Sequence, residues 1–120
     1  MEFNQQENSI NSIISIEKDR VGLSHTWLKT PCFISKTHQE EIQISTIEQI
    51  DKTSVFSWCI KDEVSLLLVG TGEQAQFLSA EQQVLIQQLG IGVESMNNAA
   101  ACRSFNLLLS DARAVGVVLL

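Results

Sequence analysis

The chain has 120 residues, enough for one compact domain but too few for two. Hydrophobic residues make up 44% of the sequence, so it can form a packed core, and a wholly disordered chain is not expected. The formal net charge is -6 and the basic residues are scattered, which argues against binding to nucleic acid.

The cysteines and the hydrophobic pattern indicate the cellular setting. Cys32, Cys59 and Cys102 are widely spaced, and their odd number is a poor basis for a disulfide framework. The first residues do not resemble a secretory signal, and no apolar run approaches the roughly 20 residues that a membrane-spanning helix needs. The sequence therefore predicts a cytoplasmic protein that spans no membrane and holds no cofactor.

The N-terminal third is polar at first and then favours short strands. Residues 1–9 are rich in asparagine and glutamine, and we expect a flexible tail there, followed by a single domain over residues 10–120. Strand-like segments follow the tail at residues 12–16, 21–28 and 31–35. They predict a small antiparallel layer in which Trp27 and Phe33 supply the bulk.

The middle of the chain gives a mixed signal. Residues 36–41 favour a polar loop, and residues 42–44 favour a short strand or extended segment. A helix is expected next, because one face of it would be formed by Ile47, Ile50, Ser54 and Trp58. The alternation of Phe56, Trp58 and Ile60 also fits a strand, so this alternative remains open.

The second half alternates strands and helices. Residues 64–69 have no polar interruption after Ser65, which is typical of a strand covered on both faces, and Gly70–Gly72 ends the run in a tight turn. Ser79 and Gln82 predict the capped start of a helix, and Gly90 predicts its end. The apolar stripe of this helix is expected to comprise Ala80, Val84, Leu85 and Leu89.

A second core strand is predicted at residues 91–96, beside the first strand in the middle of the molecule. Asn97 or Asn98 should cap the helix that follows, and the alanines of its first turns would let it approach its neighbours closely. Residues 114–120 predict a last buried strand. This alternation of strands and helices implies an α/β sandwich with a mostly parallel sheet.

Two segments of this half resemble a known family: LLLVGTG at residues 66–72 and GIGVESMNNAAACRSFNLLL at residues 90–109. Their order and spacing are similar to those of small bacterial and archaeal proteins of unknown function related to mitochondrial complex I (NADH dehydrogenase) assembly factor 3. The likeness extends over residues 64–120, with Phe105 where many relatives have tyrosine.

The resemblance implies a single three-layer α/β domain, with a mixed central β-sheet, helices on both faces and a small N-terminal antiparallel β layer. It implies no reaction. The role of the mitochondrial relative in assembling a membrane complex implies a protein partner for this chain.

The turn at Gly70, Thr71 and Gly72 is the first candidate site. Its backbone N–H groups could hold an anion at the end of a strand. No lysine follows as in a P-loop, and Glu73 adds negative charge, so a simple turn with positive φ is favoured.

The predicted third helix contains the second candidate site. Cys102 beside Arg103 could be a reactive thiol activated by a cation, whereas the AAAC sequence favours a packed thiol. Arg103 and Asn106 lie one turn apart on the polar face of this helix. They could bind a carboxylate, a small ligand or a partner, or they could make local structural bonds.

We favour a non-enzymatic binding or assembly-factor-like protein that acts through protein–protein contacts. Its surface is expected beyond the carboxyl ends of the strands and comprises Gly70, Thr71, Gly72, Met96, Asn97, Cys102, Arg103 and Asn106. The alternative is a small-molecule-binding protein or an unrecognised enzyme that uses the same turn with Cys102 and Arg103. A structural subunit or homo-oligomer is a third hypothesis. The isolated His25 and His38 predict no metal site.

Overall fold

The computed structural model describes residues 10–120, so the tail predicted at residues 1–9 lies outside the described range. The strands are β1 (Ile13–Ile16), β2 (Arg20–Leu23), β3 (Trp27–Lys29), β4 (Cys32–Ser35), β5 (Gln39–Glu41), β6 (Leu66–Gly70), β7 (Gly92–Met96) and β8 (Val115–Leu119). The α-helices are α1 (Lys52–Cys59), α2 (Ala80–Gln87) and α3 (Asn98–Ser110), and 3-10 turns lie at Ile47–Gln49 and Lys61–Glu63. None of the helices in this range is long and apolar enough to cross a membrane.

The strands form two sheets. A small antiparallel sheet has the order β1-β2-β3, and a larger mixed sheet has the order β5-β4-β8-β6-β7. In the larger sheet β4 is antiparallel to β5 and β8, whereas β6 is parallel to β8 and β7. The predicted three-layer α/β fold with a mixed central sheet and a small antiparallel layer is therefore confirmed.

The larger sheet separates two apolar cores. On one face, α3 and the small sheet pack against it, and the largest fully buried residues of this core are Val21, Ile34, Leu68, Phe105, Val115 and Leu119. On the other face, α1 and α2 cover it, with Phe33, Ile50, Val55, Leu67, Val69 and Ile86 buried. Helices therefore lie on both faces of the sheet, as predicted.

The position of β7 differs from the prediction. The apolar run at residues 64–69 does lead into β6, which lies inside the sheet between β7 and β8. β7 is an edge strand, so the prediction that both strands lie in the middle of the molecule is wrong. Glu94 and Ser95 explain the difference, because a strand with polar residues at adjacent positions has no fully apolar face to bury. The second central strand is β8, in which every residue is buried.

Two predictions for the N-terminal half are also wrong. Residues 31–35 were expected in the small layer, but β4 pairs with β8 in the larger sheet, and Phe33 stacks on Trp58 with ring centroids 6.2 Å apart. Residues 39–41 form β5 at the sheet edge, whereas residues 42–44 are not in a strand. The polar sequence QEE suits an edge strand, which needs few apolar contacts.

The helices begin where side chains cap them. Asp51 caps α1 by accepting a hydrogen bond from Ser54 N at 2.8 Å, so residues 52–59 are helical and the strand alternative is wrong. The predicted continuous helical face is not formed, because Ile47 lies in a 3-10 turn and Ile50 is extended between that turn and α1. Ser79 and Gln82 form the predicted capping box of α2. The predicted stripe is wrong for α2 itself, because Ala80, Val84 and Leu85 are exposed and the helix packs through Ile86. Leu89, the last residue of the stripe, lies after the helix and is partly buried against the core.

Three non-glycine residues among those described have positive φ: Asp62 and Glu63 (φ 49) in the second 3-10 turn, and Ala112 after α3. Ala112 (φ 58) follows α3, where N–H groups of the turn bond back to carbonyls of its last residues. Asp62 (φ 56) accepts hydrogen bonds from Ser35 Oγ at 2.6 Å and from Thr37 N and Oγ1 at 2.7 Å each. Partial burial raises the pKa of Asp62, but these hydrogen bonds outweigh it and hold the pKa below its ordinary value.

Candidate functional site

The Gly70–Gly72 turn lies where β6 meets the start of α3. Gly70 is directly beneath the helix, and a Cβ added there would overlap Asn98 Oδ1 and lie 3.2 Å from Ala101 Cβ. Gly72 has φ +87, which a residue with a side chain rarely adopts. Glycine is therefore needed at the two positions for different reasons. At Gly70 the helix lies too close for a side chain, and at Gly72 the backbone has a positive φ.

The polar groups of this turn bond mainly to the protein itself. Thr71 N donates to Met96 O at 2.9 Å, and Gly72 N donates to Asn98 Oδ1 at 3.0 Å. Thr71 Oγ1 donates to Gln74 O at 2.7 Å. Because the amides of Thr71 and Gly72 already have acceptors, the geometry favours the simple turn over an anion cradle.

Two consecutive asparagines fasten the start of α3. Asn97 caps the helix by accepting a hydrogen bond from Ala100 N at 2.8 Å, as predicted for one of the pair. Asn98 is buried, and its Nδ2 donates to Leu120 O at 3.3 Å while its Oδ1 accepts from Gly72 N. Its amide therefore ties three segments together: the turn after β6, the start of α3 and the end of β8.

A cleft of about 480 Å³ opens beside this junction. Its walls are the β1–β2 turn at residues 16–18, the turn at Gly72 and Glu73, and the first turn of α3 at residues 97–99. The volume falls within the range of small-ligand and peptide sites. Lys18 and two glutamates, Glu17 and Glu73, give the cleft charges of both signs.

A groove of about 250 Å³ continues from the cleft between β1 and α3. Ile16 and Ala99 line both depressions. Asn106 holds β1 against the helix: its Oδ1 accepts from Ile13 N at 2.9 Å and its Nδ2 donates to Ile13 O at 2.7 Å. Ile14 in the same groove is 66% exposed. Asn106 therefore builds the wall of the groove.

Cys102 and Arg103 line the groove but differ in access. Cys102 is buried, and this burial raises the pKa of its thiol to about 11, since the opposing effect of Arg103 is smaller. A thiol with this pKa is largely protonated at neutral pH and is a poor nucleophile. Arg103 is exposed, and no acceptor among residues 10–120 forms a hydrogen bond or ion pair with it.

The predicted site residues thus fall into three groups. Gly72 and Asn97 line the cleft; Cys102, Arg103 and Asn106 line the adjoining groove. The remaining three, Gly70, Thr71 and Met96, form the support behind them, with Met96 packed against the core on the α3 side. Within residues 10–120, no cluster of histidine, cysteine and acidic side chains is arranged to hold a metal ion.

Sequence reasoning missed the wall formed by residues 16–18. These residues lie about 80 positions before α3, and nothing in their composition indicates that the hairpin folds over the helix. The only local signal was the polar turn after a short strand, which is typical of any exposed hairpin.

The fold and this surface define a small three-layer α/β domain with an open cleft and groove between an antiparallel hairpin and the start of a helix. The chain belongs to the family described as protein of unknown function (DUF498/DUF598), which matches residues 13–120. Its membership and its relation to the assembly factor named below agree with the resemblance drawn from the sequence.

The following three proteins, one curated relative and two solved structures, are similar to the chain. Human NADH dehydrogenase (ubiquinone) 1 alpha subcomplex assembly factor 3 is 31% identical over 70 residues, which cover 58% of this chain and 38% of the relative. A Bordetella parapertussis structure has a TM-score of 0.83 at 23% identity, covering 93% of this chain and 96% of the other. A Mth938-like domain from Bordetella pertussis has a TM-score of 0.78 at 19% identity, covering 93% and 86%.

The solved structures and the curated relatives support different conclusions. The identities to the solved structures are low, so those structures establish the fold alone. The chain spans between 33% and 50% of the length of the curated relatives that it matches.

Proposed function

We propose that the protein is a non-enzymatic, assembly-factor-like protein that acts through protein–protein contacts at the cleft and groove beside α3. The relation to the human assembly factor supports this role, since that relative is named for the assembly of NADH dehydrogenase. Subunits of an NADH dehydrogenase are therefore the first partners to test.

The observation that carries the proposal is the contrast between what is accessible in the groove and what is buried. Ile14 and Arg103 are exposed, so an apolar side chain and a cation with no ion pair within residues 10–120 are available to a partner. The thiol of Cys102 is buried and held protonated, and the amides of the Gly70–Gly72 turn bond within the protein. This arrangement supplies anchors for binding, of the apolar and arginine type that dominates interfaces, and little for a reaction.

The alternative remains a small-molecule site in the cleft near Gly70–Gly72 and Cys102–Arg103. The cleft volume of about 480 Å³ favours it. The buried thiol opposes the enzymatic version, because a nucleophile must be both accessible and deprotonated. Binding by the cleft without chemistry is compatible with a protein partner that inserts one side chain there.

Site-specific crosslinking tests the proposal. A photoreactive residue at Ile14, in the full chain expressed in the organism that encodes it, should crosslink to a subunit of NADH dehydrogenase. The positional control carries the same photoreactive residue in place of Phe56. Phe56 is 53% exposed and lies on α1, on the opposite face of the larger sheet. Arg103→Ala should reduce the yield about tenfold, because a hydrogen bond to a charged group contributes about 1.5–3 kcal/mol. Arg113→Ala, another exposed arginine, should leave it unchanged.

Two results would contradict the proposal. The first is equal crosslinking from positions 14 and 56, which would show contact without a defined surface. The second is an unchanged yield in Arg103→Ala when circular dichroism shows the variant to be folded.

A further inference from the structure

The free edge of β7 presents a defined set of backbone groups. Gly92 N donates to Ser65 O and Met96 O accepts from Thr71 N, each at 2.9 Å, so the groups of residues 92, 94 and 96 face β6. Backbone N–H and C=O groups alternate in direction along a strand. The groups of Val93 and Ser95 therefore point away from the sheet, and no donor or acceptor among residues 10–120 bonds to them.

One charge lies at the centre of this edge. Glu94 is the only charged residue of β7, and its side chain is exposed. It points to the same side of the sheet as Met96, which packs against the core on the α3 side. Within the described part of the chain, Glu94 forms no ion pair.

The geometry argues against a second copy of this chain as the occupant of the edge. The antiparallel register that pairs two β7 strands through the outward groups of their own residues alone sets Val93 of each copy opposite Ser95 of the other. That register places the two Glu94 side chains directly opposite each other, and like charges at such positions are destabilising. The net charge of -6 adds a general repulsion between copies.

We propose that the β7 edge accepts an extended segment of another protein as an added strand, with a lysine or arginine opposite Glu94. The outward groups of Val93 and Ser95 supply four main-chain hydrogen bonds in this mode of recognition, and Glu94 selects the register through the basic side chain. This surface is separate from the cleft and groove, and it uses neither Arg103 nor Ile14. It goes beyond the proposed function by giving the protein a second docking surface with a stated charge preference.

The test uses the protein's own strand as a basic probe. Unlabelled Glu94→Lys protein is titrated into 15N-labelled wild-type protein at low salt, and the amide resonances are followed by NMR. The mixed pair places Lys opposite Glu, so the shifts should concentrate at Val93 and Ser95. The dissociation constant of the mixed pair should be about fivefold lower than that of the wild-type pair or of the Glu94→Lys pair, because opposite charges across two strands attract each other. Raising the salt concentration should reverse most of this difference.

Ser95→Pro in the labelled protein removes an outward donor and should abolish the shift at the Val93 amide, whereas Ser95→Ala should leave the shifts at both positions. Proline is tolerated here by the fold because the N–H it replaces faces away from β6. If Ser95→Pro does not fold, Glu94→Gln in the labelled protein replaces it as the control and should weaken the mixed pair.

The absence of shifts at Val93 and Ser95 at millimolar concentrations of the Glu94→Lys protein would overturn the proposal. Wild-type self-pairing as tight as the mixed pair would overturn it as well, in favour of a homodimer. Labelled Arg103→Ala should give the wild-type result, which separates this test from that of the groove.

Discussion

The substitution Gly70→Ala tests the idea that the junction between β6 and α3 depends on close backbone approach. The added Cβ would overlap Asn98 Oδ1 and lie 2.9 Å from Leu119 Cδ2 and 3.2 Å from Ala101 Cβ. Leu119 is fully buried and Ala101 belongs to the helix, so neither can move away freely. The flexible neighbour is Asn98, whose displacement would break its bonds to Gly72 N and Leu120 O.

The expected loss of stability follows from these contacts. Overpacking a core by one methyl group typically costs about 1–3 kcal/mol. Each of the two hydrogen bonds of Asn98 contributes about 0.5–1.5 kcal/mol. Replacing glycine lowers the entropy of the unfolded chain and returns about 0.4–1 kcal/mol. We therefore expect Gly70→Ala to lower the free energy of unfolding by about 2–4 kcal/mol.

Urea denaturation measures this loss, and Gly92→Ala is the matched control. At Gly92 the added Cβ would lie 3.4 Å from Leu66 Cδ1 and 3.9 Å from Ser65 O, which are ordinary contacts, so the entropy effect dominates and the free energy of unfolding should rise by about 0.4–1 kcal/mol. A double-mutant cycle then isolates the contact. With Asn98→Ala already present, Gly70→Ala should cost less than it does alone, because the overlapping oxygen is gone. Additive losses, or equal losses at positions 70 and 92, would refute the reasoning.

Two further predictions concern the residues with positive φ. Ala112→Gly should raise the free energy of unfolding by about 1 kcal/mol, since glycine adopts φ 58 without strain. Ala99→Gly, inside α3, should lower it by about 1 kcal/mol, and thermal melts of both variants check the opposite signs. Asp62→Asn should lose about 1.5–3 kcal/mol at pH 7, because Ser35 and Thr37 then bond to a neutral group. The folded-state pKa of Asp62 is lowered, so its contribution is complete above the unfolded value of 3.8 and disappears as the pH falls through the folded value. A difference between Asp62→Asn and wild type that persists undiminished at pH 2 would contradict this origin.

Local signals in the sequence predicted the elements that depend on local physics. The apolar run before Gly70 could be identified as a buried strand because no polar side chain interrupts it. The start of α2 was predictable because the Ser79–Gln82 capping box involves only four consecutive residues. The end of that helical region was also predictable, because Gly90 has φ +75, a backbone conformation that glycine commonly adopts after a helix.

Long-range pairing decided the elements that the sequence did not predict. β4 joins the larger sheet because β8 pairs with it, although residues 36–114 separate the two strands. α2 exposes Val84 and Leu85 because a single inward anchor, Ile86, is enough for a helix of eight residues at the margin of the sheet. Periodicity alone does not show which of several apolar faces a short helix buries.

The candidate site shows the same division between local and distant interactions, and it changes how the family motif is interpreted. Gly70, Asn98 and Asn106 belong to the segments that carry the resemblance, and each acts on the protein itself: the first by its lack of a side chain, the others by bonds to distant backbone. Arg103 differs from them, because it lies in the same motif and is exposed. Most of the motif therefore specifies how a helix is held against a sheet and a hairpin. In the groove, the side chains available to a partner are therefore Arg103, from the motif, and Ile14, from outside it. Glu94 is also an exposed residue of the motif, and it belongs to the separate edge of β7.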